Sequence, residues 1–323
     1  MEYGLVFLIA AILIGFFMAW AVGANDLANI MSTTMASKAI SVRQAIIIAI
    51  VFEFAGALLG GIHVTNTIRS GIINMQLFSE TPNILIEGML AALLSGMTWM
   101  LFASFIGMPV SITNAIVGAI VGFGALVLGT HAIHWTTVQK IALSWIFSPL
   151  LSGTAGFLLF TLVKRIILSS NDPVKNVQRY IPFFFFLVGV VLSIMIVIKE
   201  FDNQGVLLGF RQRLMIAIIG GLIIATLGRL LSRHIYLKEK PKRYERFEYV
   251  EKIFGILMGF TACAMVFAHG SNDVAIAMGP VAAIYSIVHN HGSVAIADSL
   301  SLWILVLGST AVVLGLLMYG RKI

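Results

Sequence analysis

The feature that most limits how this chain can fold is a series of long apolar stretches. Residues 4–22, 84–106 and 214–231 are examples, and each holds about 18 or more residues with few charged side chains. A helix of that length crosses a hydrocarbon core of about 30 Å. Only 11% of the 323 residues are charged and the mean hydropathy is +0.99, whereas a soluble domain carries about 25% charge. The sequence therefore predicts an all-α polytopic membrane protein.

The distribution of basic residues predicts how the spans are oriented. With Met1 outside, the connectors on the inner side hold most of the 21 basic residues, as the positive-inside rule expects. The longest charged run, residues 237–252, is interpreted as a cytoplasmic linker near anionic lipid headgroups, with a regulatory docking site as the alternative. We expect a multi-pass protein of the plasma or inner membrane. The predicted spans are residues 4–22, 44–62, 84–104, 112–129, 137–163, 181–198, 214–232, 253–269 and 299–318.

Two segments of the chain repeat each other. Residues 21–31 and 268–278 align without a gap and share Ala, Gly, Asn, Asp, Ala and Met at equivalent positions. The predicted topology places an odd number of crossings between the two starts, so the copies enter the membrane from opposite sides. This pattern predicts an inverted-repeat transporter with a first repeat in residues 1–236, a linker in 237–252 and the start of a second repeat in 253–323.

Each copy places a carboxylate at membrane depth, Asp26 in the first and Asp273 in the second. A charge at the bilayer centre is unfavourable by about 2.5–3.5 kcal/mol on insertion scales, so both must face a cavity, a cation or each other. Gly23 and Gly270 are expected to break their helices and to expose backbone groups to a ligand. Glu53 adds a third carboxylate inside an apolar span.

A further interruption lies at residues 107–114, Gly-Met-Pro-Val-Ser-Ile-Thr-Asn, between two apolar segments. It predicts a re-entrant hairpin whose second arm starts at Ser111. Free amides at a helix start, together with the hydroxyls of Ser111 and Thr113, suit an oxyanion. The alternative is that these hydroxyls bond only to the preceding turn of their own helix.

Taken together, and in the order in which they occur along the chain, these motifs resemble those of the inorganic phosphate transporter (PiT) family of cation-coupled symporters. The chain departs from the family pattern at Asn114, where His is usual, and at Ile276, where Asn is usual. It also ends before the second Ser-x-Thr hairpin, so the second repeat is expected to be incomplete. The resemblance is carried by residues 23–29, 42–45 with 52–53, 67–73, 107–114, 270–275 and 279–280.

The resemblance implies a secondary active transporter, not an enzyme, that moves inorganic phosphate by symport with Na⁺ or H⁺ and has no cofactor. Phosphate would be repelled by Asp26 and Asp273, because like charges about 4 Å apart at an effective dielectric near 20 repel by about 4 kcal/mol. A bound cation or proton must therefore accompany it. The expected substrate-binding residues are Asn25, Asp26, Ser111, Thr113, Asn114, Asn272 and Asp273. The expected Na⁺ ligands are Asp26, Asn29, Glu53 and Asp273.

Three alternatives to this function stay open from the sequence. One is a permease for sulfate or another tetrahedral anion, although dihydrogen phosphate can donate a hydrogen bond to an Asp and sulfate cannot. The others are a truncated, non-transporting receptor and a scaffold. We interpret His269, which directly precedes Gly270 in the second copy, as a structural residue. The expected partners are phosphate, a monovalent cation, the lipid bilayer and, as one option, further copies of the chain, without nucleic acid.

Overall fold

The computed structural model describes residues 3–66, 68, 71–198, 208–235, 243–294 and 301–319. These residues are almost entirely helical and form no sheet beyond one isolated bridge between Ile73 and Ile133. Two π-helical turns are Lys164–Leu168 and Gly270–Val274, and two short 3-10 helices are Met75–Phe78 and Thr130–Ala132. The α-helices are α1 (Gly4–Ala36), α2 (Val42–Asn66), α3 (Pro82–Phe105), α4 (Ile112–Val127), α5 (Trp135–Val163), α6 (Pro173–Ile196), α7 (Phe210–Ser232), α8 (Arg243–His269), α9 (Ala275–His289) and α10 (Leu302–Met318).

The helices confirm the multi-pass membrane class. Seven helical stretches in the described residues are long and apolar enough to cross a bilayer, and α4 and α10 are shorter apolar helices. Each predicted span has a matching helix, although α4 and α6 end two residues before predicted spans 112–129 and 181–198 do, and residues 299–300 of span 299–318 lie outside the described residues. Several extend further than predicted, since α1 continues to Ala36 and α8 begins at Arg243. Residues 243–252, in the stretch expected to be a linker, are therefore helical, while 236–242 lie outside the described residues.

The predicted helix break at Gly23 is wrong. Helix α1 runs without interruption through Gly23 and Asp26 to Ala36. At Gly270 the chain also stays helical, passing from α8 to α9 through one π-helical turn. Such turns insert one extra residue without ending the helix. Both glycines are instead required by close contacts with neighbouring helices.

Helix α1 crosses α10 at very short range. A Cβ atom on Gly23 would overlap the backbone carbonyl of Val312. One turn further along α10, a Cβ atom on Gly315 would overlap the carbonyl of Trp20 and lie 2.9 Å from the amide nitrogen of Ala24. Each helix thus presents a glycine to the backbone of the other, and neither tolerates a side chain at the crossing.

The second copy of the repeat makes a matching crossing with α2. A Cβ atom on Gly270 would overlap the carbonyl of Glu53, and one on Gly56 would overlap the carbonyl of Phe267 and lie 2.9 Å from the amide nitrogen of Ser271. Gly270, Phe267 and Ser271 correspond to Gly23, Trp20 and Ala24 of the first crossing. Glu53 and Gly56 of α2 correspond to Val312 and Gly315 of α10. The matching contacts favour a two-fold relationship between the segments around the two repeat copies. The opposite orientation of the two copies in the membrane stays a prediction.

The connection between α3 and α4 has the form expected from its sequence. Helix α3 ends at Phe105, and Gly107 adopts a φ of +71°, a left-handed conformation that favours glycine. Ser111 is the N-cap of α4, since its side chain accepts a hydrogen bond from the Asn114 amide. The predicted start of the second arm is confirmed, while its re-entrant position in a membrane stays a prediction.

The chain divides into two compact units. Unit 1 comprises Met1–Ser32, Ala45–Gln139 and Met265–Ile323, and contains both copies of the repeat. Unit 2 comprises Thr33–Gln44 and Lys140–Ala264. In unit 2, α6 and α7 pack at close range, because a Cβ atom on Gly189 would lie 2.7 Å from the carbonyl oxygen of Gly220. Its buried core consists of Ile167, Val177, Ile181, Phe184, Phe185, Tyr249, Val250 and Ile253.

Candidate functional site

His269 stands at the centre of a group of three carboxylates in unit 1. Its Nδ1 lies 2.8 Å from Oε1 of Glu53. Its Nε2 lies 3.3 Å from Oδ2 of Asp26 and 3.2 Å from Oδ2 of Asp273. We call these four residues the carboxylate cluster. A doubly protonated ring donates from both nitrogens, so one imidazolium can bond to all three acidic side chains.

Four different elements of secondary structure bring the carboxylate cluster together. Asp26 lies on α1, Glu53 on α2, His269 at the end of α8 and Asp273 in the π-helical turn. Residues four apart on a helix share a face, which explains why His269 meets Asp273. Glu53 comes within reach because α2 crosses this segment at Gly270 with no side chain between the backbones.

The carboxylate cluster is mostly buried, and Asp273 is its most exposed member. The exposed fractions of the side chains are 0% for Glu53, 5% for Asp26, 9% for His269 and 23% for Asp273. Oε2 of Glu53 is buried and has no hydrogen-bond partner among the described residues. With every group charged, one imidazolium faces three carboxylates, so an excess of negative charge is buried. Burying unpaired charge is highly unfavourable, so this excess would have to be balanced by a proton or a bound cation.

The geometry of the carboxylate cluster suits a small ion. A carboxylate oxygen of Asp26, one of Asp273 and a ring nitrogen of His269 all lie within 4.8 Å of one another. The ring nitrogen can bind an ion only when it carries no proton, whereas the two oxygens can do so beside an imidazolium. Asn29, an expected Na⁺ ligand, donates from Nδ2 to Oδ1 of Asp26 over 2.8 Å, a bond that does not use its amide oxygen. Carboxylate and amide oxygens are the donors that hard cations prefer.

Asn25, which the sequence analysis expected to bind substrate, is held by hydrogen bonds within the protein. It is fully buried, and its Nδ2 donates to Oγ of Ser104 over 3.1 Å and to the carbonyl oxygen of Met108 over 3.0 Å. Its Oδ1 accepts from the backbone amide of Val110 over 2.9 Å. Both amide protons are thus used within the protein. This arrangement favours a positioning role, holding the α3–α4 connection against α1, over the predicted direct contact with substrate.

The remaining expected anion-binding residues lie at the start of α4 and beside Asp273. Ser111 and Asn114 are exposed and bond to each other, with 3.2 Å between Oγ and Oδ1, while Thr113 is half-buried. No acidic residue occupies the first turn of α4, so the positive end of the helix dipole is not neutralised there. Asn272 is half-buried in the π-helical turn.

The structure thus brings Asp26, Glu53 and Asp273 together as expected. It joins them through His269, which the sequence analysis assigned a structural role. The sequence signal for His269 was its place directly before Gly270, the glycine of the second repeat copy, and four residues before the carboxylate of Asp273. Asn25 links this cluster to the α4 start through Val110. Ser111, Thr113 and Asn114 are not among the cluster's bonded residues.

The two matching crossings differ in their chemistry. The positions equivalent to His269 and Glu53 are Val22 and Val312, both apolar and buried. Of the four residues of the carboxylate cluster, only the aspartates, Asp26 and Asp273, are equivalent to each other in the two copies. Among the described residues, therefore, the histidine and the third carboxylate occur at one crossing alone, and the buried charge is concentrated on that side.

Comparisons with known proteins agree on one family. The sequence profile of the phosphate transporter family matches residues 22–323. A Haemophilus influenzae protein named as a phosphate permease is 40% identical over 313 residues, covering 96% of this chain and 73% of the relative. A Pyrococcus furiosus protein of the same name is 39% identical, covering 98% and 74%. A solved sodium-dependent phosphate transporter is similar, with a TM-score of 0.83, 35% identity, and coverage of 98% of this chain and 76% of that one.

Proposed function

This chain belongs to the phosphate transporter family, and from that premise we propose that it moves inorganic phosphate across a membrane by symport with a cation, most simply Na⁺. The observation that carries the proposal is the buried carboxylate cluster around His269. The helices that hold it are long and apolar enough to cross a membrane. Its charge gives the membrane interior a site that favours cations.

The carboxylate cluster supports coupling through its charge. An anion entering beside Asp26 and Asp273 meets negative potential, which at about 4 Å and an effective dielectric near 20 amounts to about 4 kcal/mol for each close pair. A cation held by Asp26, Asn29 and Glu53 cancels much of that repulsion. Anion binding is then favourable only when the cation is present, which is the thermodynamic condition for symport.

The α4 start is the second part of the proposed site. Its amides and the hydroxyls of Ser111 and Thr113 provide donors for a phosphate oxygen. Asn25 supports a link between the two parts, because it bonds to the Val110 amide and directly precedes Asp26. A cation that shifts Asp26 would therefore alter the position of the α4 start. In this proposal, Asn272 and Asn114 complete the polar lining.

Sodium is favoured over a proton as the coupled ion for a chemical reason. The cluster and Asn29 present several oxygen atoms to one small volume, and oxygen is the donor that Na⁺ requires, whereas a proton needs only one acceptor. A solved transporter similar to this chain bears the description sodium-dependent. Oε2 of Glu53 supplies an oxygen that has no partner among the described residues.

Uptake of radiolabelled phosphate into proteoliposomes tests the proposal. We expect an inward Na⁺ gradient to drive accumulation, an equal K⁺ gradient to give none, and excess sulfate to compete weakly. Accumulation driven by a pH gradient without Na⁺ would replace Na⁺ with H⁺ as the coupled ion. Strong inhibition and equal transport of sulfate would make the chain a general permease for tetrahedral anions. Absence of phosphate uptake under every gradient would reject transport.

A further inference from the structure

Unit 2 contains a polar cavity of about 520 Å³ that is separate from the carboxylate cluster. It lies where the first part of α6, the end of α7 and the first part of α8 meet. Its polar lining includes Gln178, Arg229, Arg233, His234 and Tyr249. None of the described residues that line it carries a carboxylate, so the cavity is positively charged.

Two arginines give the cavity its charge. Arg229 and Arg233 are four residues apart and therefore project from the same side of the helix end. Both are exposed, and the salt bridges found in the described part of the chain involve Lys252 and His269 instead. His234 is near them, with Nδ1 3.0 Å from the carbonyl oxygen of Leu230. Neither guanidinium group is therefore paired with a carboxylate of the described residues, and both can bind an anion.

The polar wall opposite supplies a further hydrogen-bond donor. Nε2 of Gln178 donates to the hydroxyl oxygen of Tyr249 over 2.8 Å. Because this oxygen accepts from Gln178, the phenolic proton of Tyr249 remains to be donated to another group. Tyr249 itself is buried and belongs to the core of unit 2, so its ring is held in place by packing.

An apolar groove of about 300 Å³ adjoins the polar cavity, and the two share Arg229 and Arg233. The groove runs between α6 and α7 and is lined by Pro182, Leu222, Ala225, Thr226 and Leu230 in addition to the arginines. Leu222 and Leu230 are 55% and 47% exposed. A ligand that fills both spaces needs an anionic group between the arginines and a hydrocarbon chain beside them.

We propose that the two cavities bind one anionic phospholipid. The lipid phosphate lies between the Arg229 and Arg233 guanidiniums, one acyl chain follows the α6–α7 groove, and the headgroup alcohol occupies the polar cavity. The positive-inside pattern assigns this end of unit 2 to the cytoplasmic side, where anionic lipids attract basic residues. Free inorganic phosphate shares the charge but leaves the groove empty. This site is independent of the proposed transport function.

Native mass spectrometry of the purified chain in detergent tests the site, with phosphatidylglycerol and phosphatidylcholine as probes. We expect phosphatidylglycerol to remain bound preferentially. The double variant Arg229→Gln/Arg233→Gln should bind it about 30-fold more weakly, since each basic residue near anionic lipid contributes about 1 kcal/mol. The double variant Lys175→Gln/Arg246→Gln removes two exposed charges from the same end outside both cavities, and should bind as the parent does.

A third variant distinguishes a lipid from a free anion. Ala225→Phe places a ring in the groove and leaves both arginines, so it should weaken phosphatidylglycerol binding without changing the effect of inorganic phosphate on thermal unfolding. Equal loss of lipid in the Lys175→Gln/Arg246→Gln control would overturn the proposal in favour of general charge attraction. So would equal retention of phosphatidylcholine, or displacement of the lipid by millimolar phosphate. Circular dichroism and gel filtration verify that each variant is folded.

Discussion

Oε1 of Glu53 lies 2.8 Å from Nδ1 of His269, while Oε2 of the same carboxylate is buried without a hydrogen-bond partner among the described residues. A carboxylate in such a position is only half satisfied by the protein. Its second oxygen is therefore the atom of the carboxylate cluster with most to gain from a bound cation.

Replacing Glu53 with Gln tests that role. The amide can keep a hydrogen bond to His269 but removes one negative charge, so we expect the chain to fold and to bind Na⁺ about 10–100-fold more weakly. The measurement is phosphate uptake into proteoliposomes as a function of Na⁺ concentration. The maximal rate should fall less than the affinity for Na⁺.

The matched control for this change is Glu248→Gln. Glu248 lies on α8 in unit 2 and forms an exposed pair with Lys252, 2.7 Å apart, so its loss should leave Na⁺ dependence unchanged. If Glu53→Gln retained the parent's Na⁺ dependence, Glu53 would be a structural partner of His269 and not a cation ligand.

Replacing His269 with Gln should reduce stability. The imidazole bonds to three carboxylates, and removing one partner from a buried ionic network typically lowers the free energy of unfolding by about 3–5 kcal/mol. Because a bound cation can screen the remaining carboxylates, added Na⁺ should restore part of the loss. Ligand at about 100 times its Kd stabilises a protein by about 2.7 kcal/mol.

Thermal unfolding in detergent measures this effect with NaCl and with choline chloride at equal ionic strength. The expected result is a larger Na⁺-specific rise in the melting temperature of His269→Gln than of His131→Gln, a variant of an exposed histidine outside the cluster. Equal responses to both salts in His269→Gln would show that no specific cation binds among these carboxylates.

Asn25→Ala should weaken phosphate binding more than Na⁺ binding. The change leaves the amide of Val110 without its partner, and an unsatisfied group of this kind is unfavourable by about 1–3 kcal/mol. The Ser104 hydroxyl loses the bond from Asn25 but still donates to the Met100 carbonyl. The α3–α4 connection should then loosen. We expect a higher KM for phosphate and faster hydrogen exchange in residues 106–114.

Ser104→Ala separates a positioning role of Asn25 from direct substrate contact. It removes one of the three bonds that Asn25 makes while leaving Asn25 itself in place. If Asn25 positions the α4 start, this variant should raise the KM for phosphate in the same direction by a smaller amount. An unchanged KM in Ser104→Ala beside a strong effect of Asn25→Ala would indicate that Asn25 touches the substrate.

The spans could be predicted because they depend on local composition. An apolar stretch such as 84–104 must be helical in a bilayer whatever its neighbours are, since only internal hydrogen bonds can satisfy its backbone. The N-cap at Ser111 was likewise local, fixed by Gly107, Pro109 and the hydroxyl. These features require no knowledge of distant parts of the chain.

The function of the repeated glycines could not be predicted in this way. A glycine permits either a helix break or a close contact between helices. The sequence around Gly23 cannot decide between these, because the residue that Gly23 contacts, Val312, lies in a distant part of the chain. His269 presented the same difficulty, because its partner Glu53 is 216 residues away in the chain. Recognising the carboxylate cluster required knowing that α2 crosses the π-helical turn.

The matching crossings predict matching effects of adding a methyl group. In Gly23→Ala the new Cβ atom would overlap the Val312 carbonyl, and in Gly270→Ala it would overlap that of Glu53. Backbone atoms cannot rotate away as a side chain can, so the helices must separate. We expect each change to lower the free energy of unfolding by about 1–3 kcal/mol or more.

Gly259→Ala is the control, because a Cβ atom on Gly259 meets nothing within 4 Å. It should leave stability unchanged or raise it by up to about 1 kcal/mol, the difference in helix propensity between Ala and Gly. Thermal unfolding of the three variants, with phosphate uptake of those that fold, makes the comparison. If both repeat glycines tolerated alanine as Gly259 does, the close crossings would not be required for the fold.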